Sequence, residues 1–112
     1  MSTPKLFRIY TAQFPFLDAQ EAKIRPVIVV GKPQGQHKIL VVVPVSSKST
    51  LEEIDINLHH WSDEGLLKPS VARVHRLTTM LQSDLIAELG ELARDDKQNL
   101  QDALRRLLDI QV

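Results

Sequence analysis

The residues best suited to chemistry in this chain are Arg73, His75 and Arg76, a histidine between two arginines. If the segment is a strand, Arg73 and His75 share one face, about 6.5 to 7 Å apart. An imidazole can move a proton near neutral pH, and a neighbouring guanidinium can stabilise the charge of a developing phosphorane. The alternative is the exposed face of an edge strand, where basic residues discourage aggregation. The pattern alone leaves both interpretations open.

A second candidate, Arg25, opens the β-branched run at residues 26–30. An arginine at the start of a buried strand projects at its rim, and its planar fork of donors suits a phosphate. The alternative is an ion pair with Asp18 or Glu21.

A third candidate is the group Ser46, Ser47 and Lys48, which follows the apolar run at residues 38–45. Two hydroxyls and an ammonium could hold a phosphate, although the same residues are also common in ordinary loops. If the two apolar runs form a hairpin, this group lies at the same rim as Arg25.

Phe14 and Phe16 flank a proline, where they could stack on unpaired bases or plug the mouth of a barrel. The sequence predicts no metal and no cofactor. The chain has no cysteine, which excludes thiolate sites and a cysteine nucleophile. His59 and His60 are adjacent and would point to opposite faces of a strand, with no third ligand at a suitable spacing.

Composition limits the organisation of the chain. Its 112 residues, 43% of them apolar, predict one domain over residues 1–112. No apolar run is long enough for a membrane span or a signal peptide, so we expect a soluble, cytoplasmic protein with no membrane partner. The net charge is zero, but residues 1–80 carry ten basic against seven acidic residues, and residues 81–112 carry four against seven. Any phosphate-facing surface therefore belongs to the first part.

Hydropathy patterns predict the elements that position these residues. Residues 31–35 have the composition of a turn, and residues 85–92 show helical periodicity that Gly90 weakens. A terminal amphipathic helix is predicted around residues 100–108, with Asp95 or Asp96 at its N-cap. The expected fold is a small α+β barrel of five to six strands, with strands at residues 5–12, 25–30, 38–45, 51–58 and 70–80.

Residues 14–16, 23–30 and 42–47 read Phe-Pro-Phe, Lys-Ile-Arg-Pro-Val-Ile-Val-Val and Val-Val-Pro-Val-Ser-Ser. In this order they resemble the MazF/PemK family of toxins from toxin-antitoxin systems. The similarity covers residues 7–108. It continues through shorter matches at residues 65–66, 68–71, Leu77, Thr79, Leu85 and 89–92.

The resemblance implies an SH3-like barrel of mostly antiparallel strands with a C-terminal helix, a homodimer, and a cognate antitoxin as partner. It implies cleavage of single-stranded RNA without a metal, leaving a 2′,3′-cyclic phosphate and a 5′-hydroxyl. The family's active-site arginine falls on Arg25, its hydroxyl residue on Ser46, and a second catalytic arginine on Arg73. Its acidic residue two places later is His75 here, which leaves the general base in question. The resemblance also places residues 85–89 in a strand, and with Gly90 we expect that strand.

The resulting hypothesis is that Arg25 and Arg73 bracket the scissile phosphate while His75 takes the proton of the 2′-hydroxyl. Ser46 or Ser47 would donate a hydrogen bond to a phosphate oxygen. Arg25 and Arg73 on opposite sides of the molecule, or either of them buried in a closed ion pair, would contradict this. Further predicted substrate-binding residues are Lys23, Lys48, Arg76, Phe14 and Phe16.

Two other functions compete with the nuclease hypothesis. One is a toxin without enzymatic activity that poisons a DNA topoisomerase through its C-terminal residues. The other is an inactive family member that acts only by binding a partner.

Overall fold

A computed structural model describes residues 3–14, 23–48 and 51–109. The described chain forms a curled antiparallel sheet followed by one helix, as expected for an α+β barrel with a C-terminal helix. No helix in these residues is long and apolar enough to cross a membrane. The strands are β1 (Arg8–Phe14), β2 (Lys23–Gln34), β3 (Ile39–Ser46), β4 (Ile56–Leu58), β5 (Ser70–Ala72), β6 (Thr78–Leu81) and β7 (Leu85–Glu91). The helix α1 is Arg94–Leu107, and short 3₁₀ helices span Val74–Arg76 and Gln82–Asp84.

The hairpin of β2 and β3 is the centre of the sheet, whose order is β4-β5-β3-β2-β1-β7. Ile28 and Val43 belong to a core cluster that includes Leu100 of α1. Val27 and Val29 face a second cluster on the other side of the strand. A strand buried on both faces needs a continuous apolar run rather than alternation, so this prediction is confirmed.

The predicted turn at residues 31–35 is wrong, because β2 continues to Gln34 and the turn spans residues 35–38. The pairing with β3 shifts register on either side of Gly31. A Cβ atom at Gly31 would lie 2.9 Å from the Cβ of Val41, so glycine permits the close approach at this irregularity.

The predicted strand at residues 70–80 is broken in two by the 3₁₀ helix Val74–Arg76. The reason is the curl of β3: β5 pairs with its end, at Val45 and Ser46, and β6 pairs with its beginning. The chain must step between the two positions on β3, and the 3₁₀ helix makes that step. Arg73 and His75 therefore do not share the face of a strand, and the predicted spacing along a strand is wrong.

The predicted strand at residues 51–58 is reduced to β4, only three residues long. Before it, the chain turns, because the Asp55 N–H donates to the Glu52 carbonyl and the Glu52 N–H donates to the Asp55 carboxylate. An aspartate that accepts a hydrogen bond from a nearby backbone N–H favours such turns over a ladder of strand pairing.

The strand expected at residues 85–89 is confirmed as β7, which pairs with β1. The helix is also confirmed, but its N-cap residue is Ala93, and Asp95 and Asp96 lie in its first turn. Asp96 is buried. Its carboxylate accepts hydrogen bonds from the backbone N–H groups of His59 and His60, in the loop before β5, and does not cap its own helix. The predicted aspartate cap is therefore wrong.

Candidate functional site

A cavity of about 760 Å³ opens at the end of β3, bounded by the start of β2 and the loop that precedes β5. Among the described residues, most charged side chains that line it are cations, and a single carboxylate, Glu52, lines it with them. The six cationic residues are Lys23, Arg25, Lys48, Lys68, Arg73 and Arg76. A concave surface with this charge favours an anion such as a phosphodiester.

Arg25 is an exposed residue near the start of β2, opposite Ala12 of β1. Strand β2 begins two residues before it, so Arg25 does not open the strand as predicted. It still lies at the rim, and both Arg25 and Lys23 line the cavity. The alternative partners Asp18 and Glu21 lie outside the described residues.

Ser46 is the last residue of β3, and Ser47 and Lys48 follow it directly. All three line the cavity. The Ser46 hydroxyl accepts a hydrogen bond from the Lys48 N–H over 3.1 Å, so the chain folds back around this side chain. The structure thus brings the predicted hydroxyl group and Arg25 to one cavity, as the hairpin required.

Arg73 follows β5, and its N–H donates to the Pro44 carbonyl of β3. Its guanidinium forms an ion pair with Asp55 at 2.9 Å and donates to the Lys48 carbonyl at 3.1 Å. Only 6% of the side chain is exposed. Arg73 nevertheless lines the cavity with Arg25, so the ion pair does not close it off from that space.

The Asp55 side chain is fully buried beneath the cavity. Burial alone would raise the pKa of its carboxyl. Hydrogen bonds from Arg73, from the Glu52 backbone and from His75 outweigh burial and hold the pKa below its ordinary value. Asp55 is thus a fixed anion that orients Arg73 and His75.

His75 lies in the 3₁₀ helix Val74–Arg76 and does not line the cavity. Its Nδ1 is 3.2 Å from an Asp55 oxygen, and its Nε2 is 2.5 Å from Glu52 Oε2. Arg76 Nη2 is 3.3 Å from the other Glu52 oxygen. His75 therefore contacts the cavity through Glu52, and its role as general base stays a prediction.

Glu52 and Asp55 were not among the residues that the sequence predicted for the site. The alternation of polar and apolar residues at 51–58 predicted an exposed face for Asp55, whereas its side chain is buried. A single aspartate among alternating residues carried no signal that an arginine 18 positions later would pair with it.

Three of these side chains could in principle ligate a metal, since ligand atoms of Glu52, Asp55 and His75 lie within 4.8 Å of one another. The carboxylates already neutralise Arg73 and Arg76. A cation at this point would face both guanidinium groups, so the cluster fits an ion-pair network better than a metal site.

Phe14 is the last residue of β1, and the position of its side chain and all of Phe16 lie outside what the structure describes. A smaller cleft of about 280 Å³ adjoins the cavity and shares Ser47 and Ser70 with it. Trp61 and Pro69 line this cleft. The cleft therefore places an aromatic side chain next to the cavity.

Solved structures with the same fold are toxins and endoribonucleases. The Mycobacterium tuberculosis toxin MazF-mt6 is 21% identical, with a TM-score of 0.73 over 94% of this chain and 99% of that one. MazF from Deinococcus radiodurans is 19% identical, with a TM-score of 0.74 over 98% of this chain and 100% of that one. An endoribonuclease in complex with its cognate antitoxin, from a Mycobacterial species, is 16% identical, with a TM-score of 0.75 over 97% and 98%. At these identities the likeness shows the fold.

Comparison with curated protein sequences found no match. A family model, however, matches residues 5–108, which is nearly the whole chain, and this match includes every residue of the cavity. The chain belongs to the PemK-like, MazF-like toxins of type II toxin-antitoxin systems.

Proposed function

We propose that this protein is an endoribonuclease toxin that cleaves single-stranded RNA. The observation that carries the proposal is the cavity at the end of β3, where six cations and a serine hydroxyl surround a space large enough for a phosphodiester. Family membership and the endoribonucleases among the similar structures support the same activity.

In the proposed reaction the 2′-hydroxyl of the substrate attacks the adjacent phosphorus, leaving a 2′,3′-cyclic phosphate and a 5′-hydroxyl. Arg25 and Arg73 flank the phosphate and stabilise the charge that develops on it. Ser46, with Ser47 beside it, donates a hydrogen bond to an oxygen of the phosphate. The cations supply the charge stabilisation, so the reaction needs no metal ion, and Lys23, Lys48 and Arg76 add attraction for the backbone.

The preference for single strands rests on the cleft beside the cavity. An unpaired base next to the scissile phosphate can enter a cleft lined by Trp61, whereas a paired base cannot leave its helix without cost. Phe14 and Phe16 remain candidate stacking residues. DNA lacks the 2′-hydroxyl, so it binds without being cut.

A homodimer and a cognate antitoxin belong to the same proposal. Two similar structures, the Mycobacterial endoribonuclease and a Deinococcus radiodurans MazE–MazF complex, contain an antitoxin. An antitoxin segment with acidic side chains would complement the cationic cavity and compete with RNA for it.

The test is incubation of the purified protein with an end-labelled single-stranded RNA in EDTA. We expect cleavage to survive chelation, to leave cyclic phosphate ends, and to stop at positions that carry a single 2′-deoxynucleotide. Arg25→Ala should lower the rate about 10²- to 10³-fold. Arg105→Ala is the matched control, because Arg105 is exposed on α1 and pairs with Asp102.

Loss of cleavage in EDTA would overturn the metal-free mechanism. An intact RNA pool under all conditions would overturn the nuclease proposal. Impaired supercoiling in cells would then support a topoisomerase poison, and its absence an inactive binding protein.

A further inference from the structure

Among the described residues that line the cavity, one group can accept a proton as an ordinary base. Among the described residues that line it, every titratable side chain except Glu52 is a lysine or an arginine, and no imidazole is present. Lysine and arginine are already protonated, and a serine hydroxyl is a weak base. Glu52 is 44% exposed at its side chain, so a bound substrate can reach it.

We propose that Glu52 is the catalytic residue that takes the proton of the attacking 2′-hydroxyl, an inference that rests on the proposed nuclease function. The proton passes to the Glu52 carboxylate as the 2′-oxygen forms its bond to phosphorus. The bond from phosphorus to the 5′-oxygen breaks, and its electron pair leaves with that oxygen. Water protonates the leaving oxygen, and Glu52 returns its proton to the hydroxide that remains.

The structure holds the Glu52 carboxylate from two sides. His75 Nε2 contacts Oε2, and Arg76 Nη2 contacts Oε1 at 3.3 Å. Asp55 contacts the other ring nitrogen of His75 at 3.2 Å and fixes the ring. His75 is therefore a positioning residue for Glu52, and this assignment replaces the hypothesis that its imidazole receives the proton.

The experiment compares cleavage by Glu52→Gln, Glu52→Ala and His75→Ala under single-turnover conditions. Glutamine keeps an oxygen for Arg76 but cannot accept the proton, so Glu52→Gln should be about 10²- to 10⁴-fold slower. Added formate should restore part of the rate of Glu52→Ala, because it replaces the missing carboxylate. Formate should not restore His75→Ala, whose carboxylate is present but misplaced.

The matched control is Glu53→Gln, since Glu53 is the adjacent exposed carboxylate and does not line the cavity. It should cleave at the wild-type rate. Circular dichroism and thermal midpoints confirm that each variant is folded.

Two outcomes separate this proposal from the one on which it rests. Wild-type cleavage together with an unimpaired Glu52→Gln overturns the role of Glu52 and leaves the nuclease proposal intact. Rescue of His75→Ala by imidazole, with Glu52→Ala unresponsive to formate, would return the role to His75. A wild-type protein that leaves RNA intact overturns the nuclease function itself.

Discussion

Two buried carboxyl groups in this protein, Asp55 beside the cavity and Glu64 beside helix α1, are held in opposite protonation states. Both side chains are removed from water, which by itself raises the pKa of a carboxyl group. Asp55 faces Arg73 at 2.9 Å, and its pKa lies below the ordinary value. Glu64 faces another carboxyl group, Asp96, and its pKa rises to about 8.

The hydrogen bonds around Glu64 and Asp96 show how the fold accommodates two buried carboxyl groups side by side. Glu64 Oε2 accepts a hydrogen bond from the Ala93 N–H at the start of α1. Its Oε1 is buried and has no hydrogen-bond partner among the described residues, which disfavours the charged form. Asp96 in turn accepts the N–H groups of His59 and His60, each at 3.0 Å.

Close backbone contact between the loop at Gly65 and strand β7 fixes the position of Glu64. Gly65 has a φ of +91°, and a Cβ atom there would lie 2.3 Å from the Leu89 carbonyl oxygen. A Cβ atom at Gly90 would lie 2.4 Å from the Glu64 carbonyl oxygen. The loop and β7 touch at two glycines, which leaves the Glu64 side chain pointing under the helix N-terminus.

Burial disfavours the charged form of both groups, and the neighbouring side chain decides which form prevails. Beside the cavity an arginine keeps a carboxylate ionised, so its charge can orient Arg73 and His75. Beside the helix, burial and a second carboxyl group favour the neutral acid.

The largest expected effect is that of Asp55→Leu, which removes the buried carboxylate that pairs with Arg73 at 2.9 Å. We expect the free energy of unfolding to fall by about 3–5 kcal/mol in urea titrations. Glu53→Leu is the control, because Glu53 is exposed and should change stability by less than about 0.5 kcal/mol.

The double variant Asp55→Leu with Arg73→Met tests the cause of that loss. The double variant removes both charges of the buried pair, so it should be more stable than Asp55→Leu alone. Equal stability of the single variant and the wild type would show that the pair is not a structural element.

The next largest effect concerns the helix-side pair. Asp96→Ala removes the acceptor of two backbone N–H groups, at His59 and His60, and should cost about 2 kcal/mol of unfolding free energy. Asp95→Ala lies one residue earlier in the same turn, with an exposed side chain, and should be near neutral. Similar losses in both variants would mean that charge at the helix N-terminus matters, and not the hydrogen bonds.

The pH dependence of stability sharpens the comparison without a change of residue. The folded-state pKa of Glu64, about 8, lies above its ordinary value of 4.5, so the folded protein holds one more proton between these pH values. Stability from this group is fully present below pH 4.5 and is lost as pH rises through about 8, because the unfolded chain gives up the proton first.

Glu64→Gln imitates the protonated acid and should remove this slope, so it gains relative stability as pH rises from 5 to 8. Urea titrations at several pH values check the difference between the two curves. Parallel curves for the variant and the wild type would contradict a protonated Glu64.

Several elements could be predicted from sequence because local patterns specify them. The apolar run of β2 needs burial on both faces, and the spacing of Leu100 and Ala103 needs a helix with one buried side. Arg25 and Ser46 lie at neighbouring strand ends in any antiparallel hairpin of these two runs. The rim of the cavity follows from that pairing alone.

Other features could not be predicted because their causes lie far away along the chain. Alternation at residues 51–58 predicted a longer strand, but Asp55 bends inward to reach Arg73. Alternation at residues 70–80 also predicted one strand, and the curl of β3 divides it into β5 and β6.

The sequence by itself determined an α+β fold, its central hairpin, its terminal helix and the arginine and serine at the edge of the sheet. Hydrophobic periodicity and strand-end position are local properties, so they survive in any compact fold. Only the tertiary structure decided which charges meet: it buried Asp55 with Arg73, turned His75 away from the cavity, and placed Glu52 at its wall. Ion pairing depends on distances of a few ångströms between residues far apart in sequence, and periodicity carries no record of those distances.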